Sequence, residues 1–214
     1  MIQIILGSIL LGFTHALIPN HWFPLAAVSI SQKWNDRESF HITLITGFFH
    51  TLSTIAFGVV LGFIGFELSN SIEIISHIVA PSLLAFIGLL FIIFHYAKGD
   101  SDDHSHIDTQ KIDEASHRSK TAVVFTLAVM MMFSPCLEID AYYFAAGQFG
   151  WEGILTLSVI YLVLTLIMLS ILVHLARKGM QKLSERLHFL EHNEKLINGI
   201  ILIALAIIMF FAGE

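Results

Sequence analysis

Six long apolar stretches alternate with polar segments along this chain, near residues 2–29, 40–64, 77–97, 121–146, 153–176 and 196–212. A helix needs roughly 20 apolar residues to cross the hydrocarbon core of a bilayer. Each stretch meets that length or comes close to it. The first, second and fourth exceed it, which predicts tilted or interrupted helices. Pro19 and Pro24 in the first stretch and Pro135 in the fourth supply interruptions, because a proline removes a backbone donor and kinks or unwinds a helix. Pro81 falls in the first turn of the third span, where a missing N–H does little harm. Trp34 and Trp151 flank spans, as interfacial anchors do. The expected fold is an all-α membrane protein of six transmembrane helices, with broken first and fourth helices.

The polar segments orient this arrangement. All eleven Lys and Arg residues fall in three loops. Lys33 and Arg37 lie in the first; Lys98, Lys111, Arg118 and Lys120 in the second; Arg177, Lys178, Lys182, Arg186 and Lys195 in the third. Basic loops stay cytoplasmic, so both termini are expected outside a cytoplasmic (inner) membrane. Residues 98–120 form a polar connector bearing His104, His106 and His117, and they divide the chain into three-span units at 1–97 and 121–214. An odd number of spans per unit means that the second enters from the opposite side, the topology of two inverted three-helix repeats. At an offset of 120, Phe13-Thr14 matches Phe133-Ser134, Leu17 matches Leu137, Asn20 matches Asp140 and Ala26 matches Ala146. In the third loop, Met180, Leu183, Leu187 and Leu190 recur at helical spacing and predict an amphipathic surface helix.

Composition agrees with the spans. Hydrophobic residues make up 56% and charged residues 13%, against about 25% charged in soluble domains. The net charge of -6 adds little, since local loop charge controls topology. The start, Met1-Ile2-Gln3, lacks the basic region of a cleavable signal peptide. A single cysteine, Cys136, excludes an internal disulfide or a two-thiol relay. Nothing resembles an NTP-binding loop, so direct ATP-driven pumping is not expected.

The candidate chemistry sits within the spans. The first holds His15-Ala16-Leu17-Ile18-Pro19-Asn20-His21. Two histidines six apart face different sides of an unbroken helix, but a break at Pro19 changes that and frees the His15 carbonyl as a further candidate ligand. The second span centres on His50, with Ser53 and Thr54 on the same helical face. The fourth carries Cys136, Glu138 and Asp140 beside Pro135. Polar groups at mid-bilayer are costly, about 2.5–3.5 kcal/mol for a charged carboxylate on insertion scales. A divalent cation would compensate carboxylate charge and imidazole lone pairs together. The metal site expected is therefore His15, Asn20, His21, His50, Cys136, Glu138 and Asp140. The bland readings are a packing histidine at 50, protonated hydrogen-bonded carboxyls at 138 and 140, a small packing residue at Cys136, and interfacial histidines at 41, 77, 95 and 174.

The His-Ala-x-x-Pro-Asn-His stretch at 15–21 resembles the first signature of the nickel/cobalt transporter (NicO, urease-accessory-like) family, part of the lysine-exporter-like superfamily. Gly47-Phe48-Phe49-His50-Thr51-Leu52-Ser53 resembles its second, and Phe133-Ser134-Pro135-Cys136 the proline-containing signature that opens its second half. The resemblance implies inverted three-span repeats and transition-metal transport. Asn20 departs from the family pattern, which has Asp there. That places zinc and iron(II) level with nickel and cobalt as substrate.

The function expected is thus secondary transport of a divalent transition-metal ion, with no organic cofactor. The alternative is an intramembrane metalloenzyme with a His/carboxylate metal site, against which stands the lack of a HExxH or paired ExxH pattern. A thiol-electron carrier would need a second cysteine. The expected partners are the lipid bilayer and the ion, not nucleic acid; self-association into a homo-oligomer is compatible with everything above.

Overall fold

The structure is a computed structural model and describes residues 1–71, 78–97, 120–134, 136–178 and 193–212. Among these residues there are eight α-helices and no strand. They are α1 (Ile2–Leu17), α2 (Pro19–Ser31), α3 (Asp36–Ser71), α4 (Ala80–Ala97), α5 (Lys120–Met132), α6 (Leu137–Gly147), α7 (Gly150–Arg177) and α8 (Glu194–Ala212). Most of the connector and the segment read as a surface helix lie outside the described residues.

Four helices, α3, α4, α7 and α8, are each long and apolar enough to cross a membrane, and the number rises to six if each bent pair forms one span. No more than 33% of any of these four apolar stretches is buried inside the protein. Large apolar side chains such as Phe57, Val60, Phe86, Leu155, Val159 and Ile207 point outward instead. Water does not favour such a surface, and lipid does. The chain is therefore built as a multi-pass membrane protein.

The first bent pair is α1 and α2, inclined at 42°. The residue before a proline is pushed out of the helical region, and the break falls there: Ile18 is extended (φ −67°, ψ 131°) and Pro19 opens α2. Pro24 lies inside α2 and does not end it. The second pair is α5 and α6, inclined at 50°. Cys136 is extended there and caps the start of α6. Pro135 lies outside the described residues. The second span runs well past the 40–64 stretch: α3 has 36 residues, about 54 Å at 1.5 Å per residue. Its first turn bears Asp36 and Glu38, which pair with Arg177 (2.6 Å) and Lys120 at the end that carries the basic residues.

The helices pack through backbone-to-backbone approaches. A Cβ on Gly147 would meet the Gly62 carbonyl oxygen at 2.2 Å, and one on Gly65 would meet that of Phe144 at 2.2 Å, so α6 lies directly on α3. Gly88 and Gly199 bring α4 and α8 together in the same way, with clashes at 2.7 and 2.6 Å. Small residues at such crossings are how membrane helices gain packing contacts without a hydrophobic driving force. Tyr142 and Tyr143 fill the gaps at Gly7 and Gly58 and are fully buried. Gly150, at φ +68°, turns the chain from α6 into α7.

Candidate metal centre

The two helix breaks meet. His15 ends α1, His21 lies in the first turn of α2, His50 lies along α3, and Cys136 caps α6. One donor atom from each of these four residues lies within 4.8 Å of the other three. His15, His50 and Cys136 are buried, and His21 is half-buried. The break at Ile18 accounts for the first two. It turns α2 away from α1 so that residues six apart in sequence have ring centroids 4.8 Å apart. The ring of His21 lies 4.4 Å from that of His50.

The orientation of the rings follows from partners outside the cluster. The His15 Nδ1–H donates to Glu138 Oε1 at 2.8 Å. The His50 Nδ1–H donates to the Met131 carbonyl at 2.9 Å. The Met131 carbonyl only accepts, so the His50 ring carries a proton on Nδ1. The Nε2 atoms of His15 and His50 face inward, and both meet one atom, Cys136 Sγ, at 3.2 and 3.4 Å. Tyr161 Oη (3.4 Å) and Thr54 Oγ1 (3.7 Å) also reach that sulfur.

The two nitrogen–sulfur separations, 3.2 and 3.4 Å, are those of ligands that share one cation, and the four donors as a set spread up to 4.8 Å. Zinc–nitrogen bonds of about 2.0 Å and zinc–sulfur bonds of about 2.3 Å set tetrahedral ligand atoms roughly 3.3–3.8 Å apart. Imidazole nitrogen and thiolate sulfur are the donors that zinc and its neighbours prefer. Carboxylate and carbonyl partners on the far ring nitrogens are the usual supports of metal-bound histidine.

The remaining expected site residues sit elsewhere. Glu138 is buried but touches the cluster from outside, through His15, and accepts a second hydrogen bond from Asn198 Nδ2 at 3.3 Å. Asn20 is exposed and turned away; its Nδ2–H donates to Glu194 Oε2 at 2.7 Å. Asp140 is buried with Oδ1 unpartnered, and it is not one of the four convergent groups. The carbonyl of His15, expected to be free, accepts the Ile18 N–H at 3.2 Å, and that of Leu17 accepts the Trp22 indole N–H at 3.2 Å. The chain thus closes its own break and leaves the side chains to offer ligands. His77, His104, His106, His117, His188 and His192 lie outside the described residues.

Tyr161, Asn198 and Glu194 escaped the sequence reading. Tyr161 and Asn198 carried a signal, as polar groups in apolar spans, but neither stands beside a proline or another histidine. Comparison with known protein families, characterised proteins and solved structures gives no match.

Proposed function

We propose that this protein is a secondary transporter of a divalent transition-metal ion, which His15, His21, His50 and Cys136 bind. One observation carries the reading. Four metal-ligating side chains converge inside an apolar helical bundle, and two of the imidazoles are tied by Nδ1 so that their Nε2 atoms aim at the same sulfur. A cation at that point would be held by all of these donors at once in a low-dielectric interior. Magnesium and calcium prefer all-oxygen shells, whereas three nitrogens and a sulfur suit zinc, nickel, cobalt or iron(II). The thiol moves zinc to the head of that order.

In this reading the two bent pairs are equivalent parts of two inverted three-helix repeats, and both termini face outward across a cytoplasmic membrane. Support comes from the breaks in the first and fourth spans and from the one-sided basic residues. Discontinuous helices meeting around a site at mid-depth are a feature of secondary transporters. A catalytic centre needs an open coordination position, and four donors around one centre fill a tetrahedral shell.

The test is metal content of the purified protein, followed by ion flux into liposomes with competing cations. We expect bound zinc, nickel, cobalt or iron(II) and flux that His50→Ala and Cys136→Ala abolish. Purified protein that binds none of these ions at micromolar concentration would overturn the proposal.

A further inference from the structure

The last helix, α8, gives no ligand to the cluster, yet it touches both halves of the site's support. Glu194 and Asn198 are four residues apart and share one helical face. Glu194 Oε2 accepts from Asn20 Nδ2 at 2.7 Å, at the start of α2 and next to His21. Asn198 Nδ2 donates to Glu138 Oε1 at 3.3 Å, in the first turn of α6, and Glu138 in turn holds His15. Asn198 is 1% exposed, so its donor has no water to fall back on. One turn of α8 thus bridges the start of α2, which carries His21, and the first turn of α6, which follows Cys136.

We propose that Glu194 and Asn198 are positioning residues that clamp α2 against α6 and close the cluster on the side of His21. This rests on the four-residue cluster being the binding site. With the clamp made, His21 and Cys136 are held at the spacing the cluster needs. With it broken, the start of α2 moves off α8 and the route to the sulfur opens.

Cys136 reports on this directly, because it is the chain's one cysteine and is 3% exposed. The experiment measures its alkylation rate by a small maleimide in metal-free, detergent-solubilised protein that elutes as a single species. Asn20→Ala and Glu194→Ala are expected to react about tenfold faster than wild type, the shift in open population that one ordinary hydrogen bond supports. Glu194→Gln keeps an acceptor and loses only the charge, so its rate is expected to stay within about twofold. The double variant Asn20→Ala/Glu194→Ala is expected to be no faster than either single one, since both remove the same bond. Asn198→Asp keeps the shape, loses the donor and is expected to react faster. Asn20 is exposed, so its variant keeps the test in force if a substitution in α8 prevents folding. Wild-type rates in Asn20→Ala and Glu194→Ala overturn the clamp, as does a Glu194→Gln rate equal to that of Glu194→Ala. The readout needs no ion, so failure of metal binding with these rates as expected would sink the transport reading alone.

Discussion

Glu138 shows how one side chain can govern a site it does not line. It accepts from His15 and from Asn198, on two different helices, and both bonds are buried. Truncation to alanine leaves the His15 Nδ1–H and the Asn198 amide without that acceptor. Each stranded polar group costs about 1–3 kcal/mol, and loss of the partner of a metal-bound histidine lowers affinity roughly 10–100-fold. Glu138→Ala is thus expected to weaken metal binding by that factor and to lower the melting temperature. Glu138→Gln, which still accepts, is expected to retain most of both. Titration calorimetry and thermal unfolding in detergent measure the two effects, and an alanine variant with wild-type affinity would remove Glu138 from the site. Asn20 makes the opposite point. Its sequence neighbour His21 is a residue of the centre, but its own amide faces Glu194. Chain proximity does not fix side-chain direction at a helix start.

At the level of elements, the site depends on how closely α3 and α6 approach. His50 rides on α3 and Cys136 on α6. Their approach is set by Gly65 and Gly147, where backbone atoms of the other helix leave no room for a methyl group. Gly147→Ala would press its Cβ to 2.2 Å from the Gly62 carbonyl and 2.8 Å from the Phe66 amide nitrogen. Neither is the tip of a flexible side chain, so the helices must part. Overpacking of this kind costs about 1–3 kcal/mol. Gly147→Ala is expected to lower thermal stability and metal affinity together, because the parting separates ligands. An exposed lipid-facing change such as Val159→Ala is expected to leave affinity unchanged. Equal affinity in Gly147→Ala and wild type would show that the crossing does not set ligand spacing. The glycines were visible in the sequence, but which faced which was not.

For the whole molecule, the basic residues lead to a topology test. All eleven lie in three segments, 33–37, 98–120 and 177–195, and Arg177 meets Asp36 and the Trp34 carbonyl where the first and third of those segments come together. Single cysteines introduced between residues 98 and 119, in a Cys136→Ala background, are expected to resist a membrane-impermeant thiol reagent in intact cells and to react after permeabilisation. Labelling from outside would reverse the orientation while leaving the helices as they are.

The sequence by itself determined the helices. Hydropathy and proline position act locally: a run of apolar residues needs internally satisfied backbone in lipid, and a proline disfavours the helical region for the residue before it, as at Ile18, although α2 runs on through Pro24. It also singled out His15, His21, His50 and Cys136, because polar groups are conspicuous in apolar spans. The same reasoning admitted Asn20, Glu138 and Asp140 as equals, since composition and depth cannot separate a side chain that faces the centre from one that supports it. Only the tertiary structure made that division. His15 and Glu138 are 123 residues apart in sequence and 2.8 Å apart in space; His50 and Cys136 are 86 apart and 3.4 Å apart. Those meetings depend on the turn of α2 off α1 and on the glycine-lined crossing of α3 and α6. Such geometry belongs to packing between distant segments, and no local pattern in the chain encodes it.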